Sequence, residues 1–193
     1  MQNGRPKYAT AFGNGNTHQS WRDNVTESGI VIDVESNTII AEGLAMPHTP
    51  RIFNKDLYVL LSATGELVKI NKDTGTYEVI VKIDGFLRGM SLHKDYLFIG
   101  LSKLRKNSST FGKLPFAEKA NEAGIIVIHL PTRSICGKIT YLTSLDEIYD
   151  IHILDGKTKP NILNTITEDH KNGLMIPTTT FWRQDKDEKK QEI

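Results

Sequence analysis

The sequence predicts an all-β protein, and three observations carry that expectation. Helical periodicity is nearly absent from its 193 residues. What recurs instead is short runs rich in Val, Ile, Leu, Tyr and Thr, bounded by Gly, Asn, Asp or Lys-Asp turns. These runs also repeat in a fixed order, strand, tight turn and returning strand.

Taken along the chain, Lys7–Phe12 reads as a strand, followed by Gly29–Val34 and Thr38–Ile40. Ile52-Phe53 and Leu57–Leu61 flank Asn54-Lys55-Asp56 and read as a hairpin. Glu66–Ile70 and Thr76–Val81 flank the turn Asn71–Gly75 in the same way. Arg88–Leu92 precedes Asp95–Gly100, Ile128–Leu130 precedes Ile135–Ile139, and Tyr149–Leu154 precedes Asn161–Leu163.

The stretch Ile32–Thr38 resembles Val68–Thr74 and Ile128–Thr132. The unit is four strands in about 40 residues, the period of a β-propeller blade. The expected architecture is a partial β-propeller of about four antiparallel, four-stranded blades. It spans residues 1–182, and a charged tail, 183–193, is expected to be disordered. An insertion from Ser102 to Ala123 interrupts the repeat. Pro115 can open a helix there, Phe116–Ala123 contains good helix formers and Gly124 can cap it.

Asn3-Gly4 is a strong hairpin signal whose upstream partner strand is not in the chain. A partial ring with open strand edges is expected to be completed by a homo-oligomer or by a second chain supplying the missing blades.

Composition excludes several functions. Lys and Arg total 24 against 23 Asp and Glu, a net charge of +1, so no basic surface favours nucleic acid or an anionic membrane. A single cysteine, Cys136, excludes an intramolecular disulfide framework and a multi-cysteine zinc site. Its place in an apolar β-run predicts a buried, inert thiol. No apolar stretch suits a signal peptide or a membrane span, and a cytoplasmic protein is expected. The calcium-loop, dinucleotide and P-loop spacings are absent, and no two histidines have a short ligand spacing, so neither a metal nor a cofactor is expected.

Several short motifs stand in order. They are Gly4–Tyr8, Ala11-Phe12-Gly13, Trp21-Arg22, Gly43–Arg51, Thr64–Leu67, Gly85–Gly89, Gly100–Lys103, Phe111–Pro115 and Glu147–Asp150. Through them, residues 3–165 resemble the C-terminal half of an uncharacterised bacterial β-propeller family, a conserved protein of unknown function. The resemblance implies a propeller fold with further blades upstream, and it carries no established activity.

The first strand of each blade lines the channel of a propeller. Those strands are expected near Thr49–Phe53, Leu87–Leu92 and Ile148–Leu154. They carry His48 and Arg51, then Arg88, then Glu147, Tyr149 and Asp150, at corresponding points of successive repeats. With Lys103 from the insertion, these residues are the candidate site, expected to converge at one channel mouth. Arginine offers bidentate contacts to a polar or anionic ligand. His48 and Asp150 are the types that pair as a base and its orienting carboxylate. The expected function is a non-enzymatic binding or scaffold protein. The rival is a small-molecule enzyme of the lactonase or lyase type working through the same His, Arg and Asp cluster.

Overall fold

The computed structural model describes residues 4–104, 111–114, 117, 120–141, 145–158, 160, 166, 168–176 and 179–182. They belong to two compact units, Met1–Ile153 and Leu154–Ile193. The expected strand Asn161–Leu163 and the tail 183–193 lie outside the described residues. Among the described residues no helix is long and apolar enough to cross a membrane.

The first unit is all-β. Strands β1 (Tyr8–Ala11), β2 (Gly29–Asp33) and β3 (Thr38–Leu44) form one antiparallel sheet in that order. A second sheet runs β4 (Pro47–Phe53), β5 (Asp56–Leu61), β6 (Glu66–Ile70) and β7 (Tyr77–Lys82). A third runs β8 (Phe86–His93), β9 (Tyr96–Ser102), β10 (Ala123–His129) and β11 (Ser134–Tyr141). Each is a meander of sequential neighbours. The sheets thus hold three, four and four strands, where the sequence predicts four in each. In the second unit, β12 (Gly173–Ile176) and β13 (Thr179–Trp182) form a hairpin after a 3-10 turn at Glu168–Asn172.

The repeat is written into the turns. Asp33 Oδ1 accepts the N–H groups of Glu35 and Ser36 at 3.0 and 3.3 Å. Asn71 Oδ1 accepts those of Asp73 and Thr74 at 2.9 and 3.2 Å. Both are Asx-turns, which close the chain with the side chain in place of a backbone acceptor. A hydroxyl pair then leads into the returning strand: Ser36 with Thr38 at 2.7 Å, Thr74 with Thr76 at 2.8 Å and Thr132 with Ser134 at 2.7 Å.

Side-chain alternation distributes the core over two layers. On β5, Leu57, Val59 and Leu61 pack with Val31, Ala41 and Leu44 of the first sheet. Tyr58 and Leu60 point the other way and pack with Leu87, Met90, Leu97 and Ile99 of the third. The centre of the second sheet is therefore buried on both faces. That is why Leu57–Leu61 is a continuous apolar run and not an alternating one.

Two buried hydroxyls stitch the second and third sheets to the chain beyond them. Ser62, just past β5, donates to the Leu87 carbonyl at 2.6 Å. Ser102, ending β9, donates to the Ile148 carbonyl at 3.0 Å and accepts the Ile148 N–H at 2.9 Å. Each such bond contributes about 1 kcal/mol net, and more is lost if its partner is left buried and unpaired.

Three expectations are corrected. Tyr149–Leu154 is not a strand: residues 145–153 have no ladder and are held through Ser102 and by the bond from Lys103 N–H to the Asp146 carbonyl at 2.8 Å. The helix expected from Pro115 to Ala123 is not formed by the described residues. Phe111–Lys113 makes a 3-10 turn, Ala117 a turn, residues 120–122 no helix, and Ala123 opens β10; Pro115, Phe116, Glu118 and Lys119 lie outside the described residues. Burial of Ala120 and Ala123, with the Ala120 carbonyl taken by the Leu104 N–H at 2.8 Å, overrides local helix propensity. Cys136 is exposed, because β11 is the outer edge of its sheet and shows Ile135 and Ile139 half-exposed.

Candidate functional site

The first strands of the second and third sheets, β4 and β8, carry the same irregularity at the same point. In β4 the register with β5 shifts between His48 and Arg51, and Thr49 has φ 51°. In β8 the register with β9 shifts between Arg88 and Met90, and Gly89 has φ 71°. A β-bulge bends its strand and re-aims the neighbouring side chain. The two bulges are joined directly, since the Gly89 N–H donates to Thr49 Oγ1 at 3.2 Å. Immediately before them stand His48 and Arg88, which are thereby turned to a common cavity of about 210 Å³.

The cavity has an apolar wall and a polar mouth. Phe12, Met46, Phe86, Leu104 and Phe111 form the wall. The Phe12 and His48 rings meet edge to face at 5.0 Å, and Phe86 and Phe111 lie 5.8 Å apart. Arg88, Lys103, Glu147 and Tyr149 form the mouth. The Arg88 guanidinium lies 4.8 Å from the centre of the Tyr149 ring. The Tyr149 hydroxyl donates to Glu147 at 2.5 Å, and Lys103 Nζ pairs with Asp146 at 2.6 Å.

His48 is the unusual member. Its Nε2 is buried and has no hydrogen-bond partner. An unsatisfied buried polar atom costs about 1–3 kcal/mol. Burial, helped by the positive charge of Arg88, lowers its pKa from 6.5 to about 4, so the imidazole is neutral at pH 7.

Five of the seven candidate residues line this cavity: His48, Arg88, Lys103, Glu147 and Tyr149. Arg51 and Asp150 are not among its lining residues; they pair with each other at 2.8 Å, both partly exposed. An exposed pair of this kind contributes about 0–1 kcal/mol. The expected pairing of His48 with Asp150 is not made, since the Asp150 carboxylate is engaged by Arg51 and by the Ile151 N–H. The sequence reading missed the aromatic wall. Its signal was an aromatic beside a glycine, as in Phe12-Gly13, Gly85-Phe86 and Phe111-Gly112.

A family described as a domain of unknown function, DUF4915, matches residues 1–163. The chain belongs to that family. The DUF4915 match takes in the bulges of β4 and β8, the serine stitches and every residue lining the cavity. It overlaps nearly all of the stretch that carries the resemblance noted above, and the domain is uncharacterised. A comparison with curated proteins finds no match for this DUF4915 chain.

Proposed function

We propose that this chain is a non-enzymatic, propeller-type binding protein that takes a small polar or anionic ligand in the cavity between β4 and β8. On this reading the four-stranded sheets are propeller blades and the bulged strands β4 and β8 line the channel mouth. The observation that carries it is the cavity itself. It joins an apolar wall to Arg88, which has no carboxylate partner among the described residues, and to a His48 Nε2 with none. Pockets of this make-up, apolar with a few convergent polar groups, are the usual form of small-molecule sites.

The catalytic alternative, a lactonase- or lyase-type enzyme, draws on the neutral His48 imidazole as a base. Binding is favoured over it because the carboxylate needed to orient that base is held by Arg51.

Thermal denaturation with a panel of small anions and neutral polar compounds tests the proposal. A ligand at about 100-fold over its Kd adds about 2.7 kcal/mol, or roughly 5–10 °C of melting temperature for a chain of this size. Anions are expected to give such shifts, and Arg88→Ala is expected to abolish them. If no compound stabilises the wild type more than it stabilises Arg88→Ala, the proposal fails.

The same reading completes the blade array with a second copy of the chain or with another chain. It draws support from the outer strands β7 and β11, where Tyr77, Val79, Ile135 and Ile139 expose 43–50% of their surface. Sedimentation of the purified chain at micromolar concentration is expected to give a dimer or a larger closed species. A single species with the mass of one chain overturns self-assembly.

A further inference from the structure

We propose that the ligand of this cavity is a monocarboxylate with a planar apolar body, its ring against the phenylalanine wall and its carboxylate at Arg88. This inference rests on the ligand-site reading above and narrows it to one chemical class.

The shape of the site selects the body. The wall is contributed by Phe12, Met46, Phe86, Leu104 and Phe111, and the volume of about 210 Å³ suits a single ring and not an extended molecule. Rings set around a cavity offer edge and face contacts that a planar guest uses better than a branched one.

The polar mouth selects the head. The Arg88 guanidinium carbon lies over the Tyr149 ring, 4.8 Å from its centre. No carboxylate among the described residues pairs with Arg88, and two parallel guanidinium N–H groups match the two oxygens of a carboxylate. Among the described residues of the mouth, the charges favour a ligand with a single negative charge. Lys103 is paired with Asp146 at 2.6 Å, and Glu147, which accepts the Tyr149 hydroxyl, sits on the same mouth. Glu147 repels a second negative charge, so a phosphate dianion or a dicarboxylate is disfavoured.

The buried Nε2 of His48 adds one more requirement. It borders the apolar wall without a partner. A hydroxyl on the ligand's ring serves whichever tautomer the imidazole adopts, because a hydroxyl both donates and accepts.

Calorimetric titration of the intact chain decides the matter. The probes are benzoate, 3- and 4-hydroxybenzoate, benzamide, terephthalate and inorganic phosphate. Benzoate is expected to bind about tenfold tighter than benzamide and terephthalate, and Arg88→Gln is expected to remove that preference. One hydroxybenzoate is expected to gain a further factor of about five over benzoate, and His48→Phe is expected to erase the gain. Arg88→Lys, which keeps the charge without the fork, is expected to fall between wild type and Arg88→Gln; circular dichroism and melting temperature establish that each variant is folded. Phosphate or terephthalate binding more tightly than benzoate, in an Arg88-dependent way, overturns the monocarboxylate and leaves the anion site standing. Benzamide binding as well as benzoate overturns the role given to Arg88. Binding of no probe to the wild type, together with a failed thermal panel, overturns the site and the ligand class alike.

Discussion

Acidification is expected to destabilise the fold through His48. The pKa of His48 is about 4 in the folded chain, against 6.5 as the ordinary value. Burial is the main cause and the charge of Arg88 the second. Between those values the unfolded chain binds a proton that the folded chain refuses. The stability due to the neutral imidazole is therefore complete above about pH 6.5 and is lost as the pH falls toward 4. The loss between pH 8 and pH 4.5 is about 2–3 kcal/mol, a large part of the stability of a typical domain. Asp33 acts in the same sense but lower, because its hydrogen bond with Lys7 holds its pKa below 3.8. Urea denaturation of wild type and His48→Phe at the two pH values isolates the histidine. The wild type is expected to lose this increment and the variant to lack it. Equal losses in both would show that His48 does not govern the acid response.

Gly89→Ala is expected to cost about 3 kcal/mol or more and to loosen the mouth of the cavity with it. Gly89 has φ 71°, where a residue with a Cβ pays about 1–2 kcal/mol. An added Cβ also meets the Asp150 backbone, at 2.4 Å from Cα and 2.7 Å from the carbonyl carbon. No side chain can rotate to relieve that contact. Residues 147–151 must move away, which strains the Ser102–Ile148 bonds and the Arg51–Asp150 pair. Gly43 provides the control. It has φ 72°, and a Cβ added there would meet nothing within 4 Å, so Gly43→Ala carries the backbone cost alone. Chemical denaturation of both variants measures the difference. Equal destabilisation would mean that the segment over Gly89 yields freely and does not hold the mouth.

What the sequence made legible is what local chemistry determines. The hairpin predicted at Ile52–Leu61 lies within β4 and β5, and the turn at Asn71–Gly75 is closed by the Asn71 side chain. Strand alternation and turn residues act over a few positions, so the chain displays them directly. The start of β4 was hidden, since Pro47-His48-Thr49-Pro50 does not resemble a strand until a bulge and a neighbouring glycine accommodate it. The failures at Tyr149–Leu154, Pro115–Ala123 and Cys136 share a cause: tertiary contacts, not propensity, determine each outcome. Of the candidate site, His48 and Arg88 were legible because they stand at corresponding points of β4 and β8; Lys103, Glu147 and Tyr149 also line the cavity, although residues 145–153 are not the strand the repeat predicted. The diversion of Asp150 to Arg51 was not legible, because it depends on a partner 99 residues away. The phenylalanine wall was missed because a phenylalanine reads as ordinary core until the cavity beside it is seen.

The two-faced burial of the second sheet also constrains the order in which the chain acquires structure. Its strands are local in sequence and each hairpin can close quickly, but a finished meander of β4–β7 would show apolar residues to water on both sides. Such a layer has no stable existence by itself and must be captured by a neighbour as it forms. During synthesis the first sheet emerges earlier and shields one side, while the face bearing Tyr58, Leu60 and Leu67 waits for β8 and β9. Until then that face is an aggregation-prone surface of the nascent chain. The short link from Lys82 to Phe86 keeps that interval brief, and the Ser62 hydroxyl, waiting at the end of β5, meets the Leu87 carbonyl as soon as the third sheet begins.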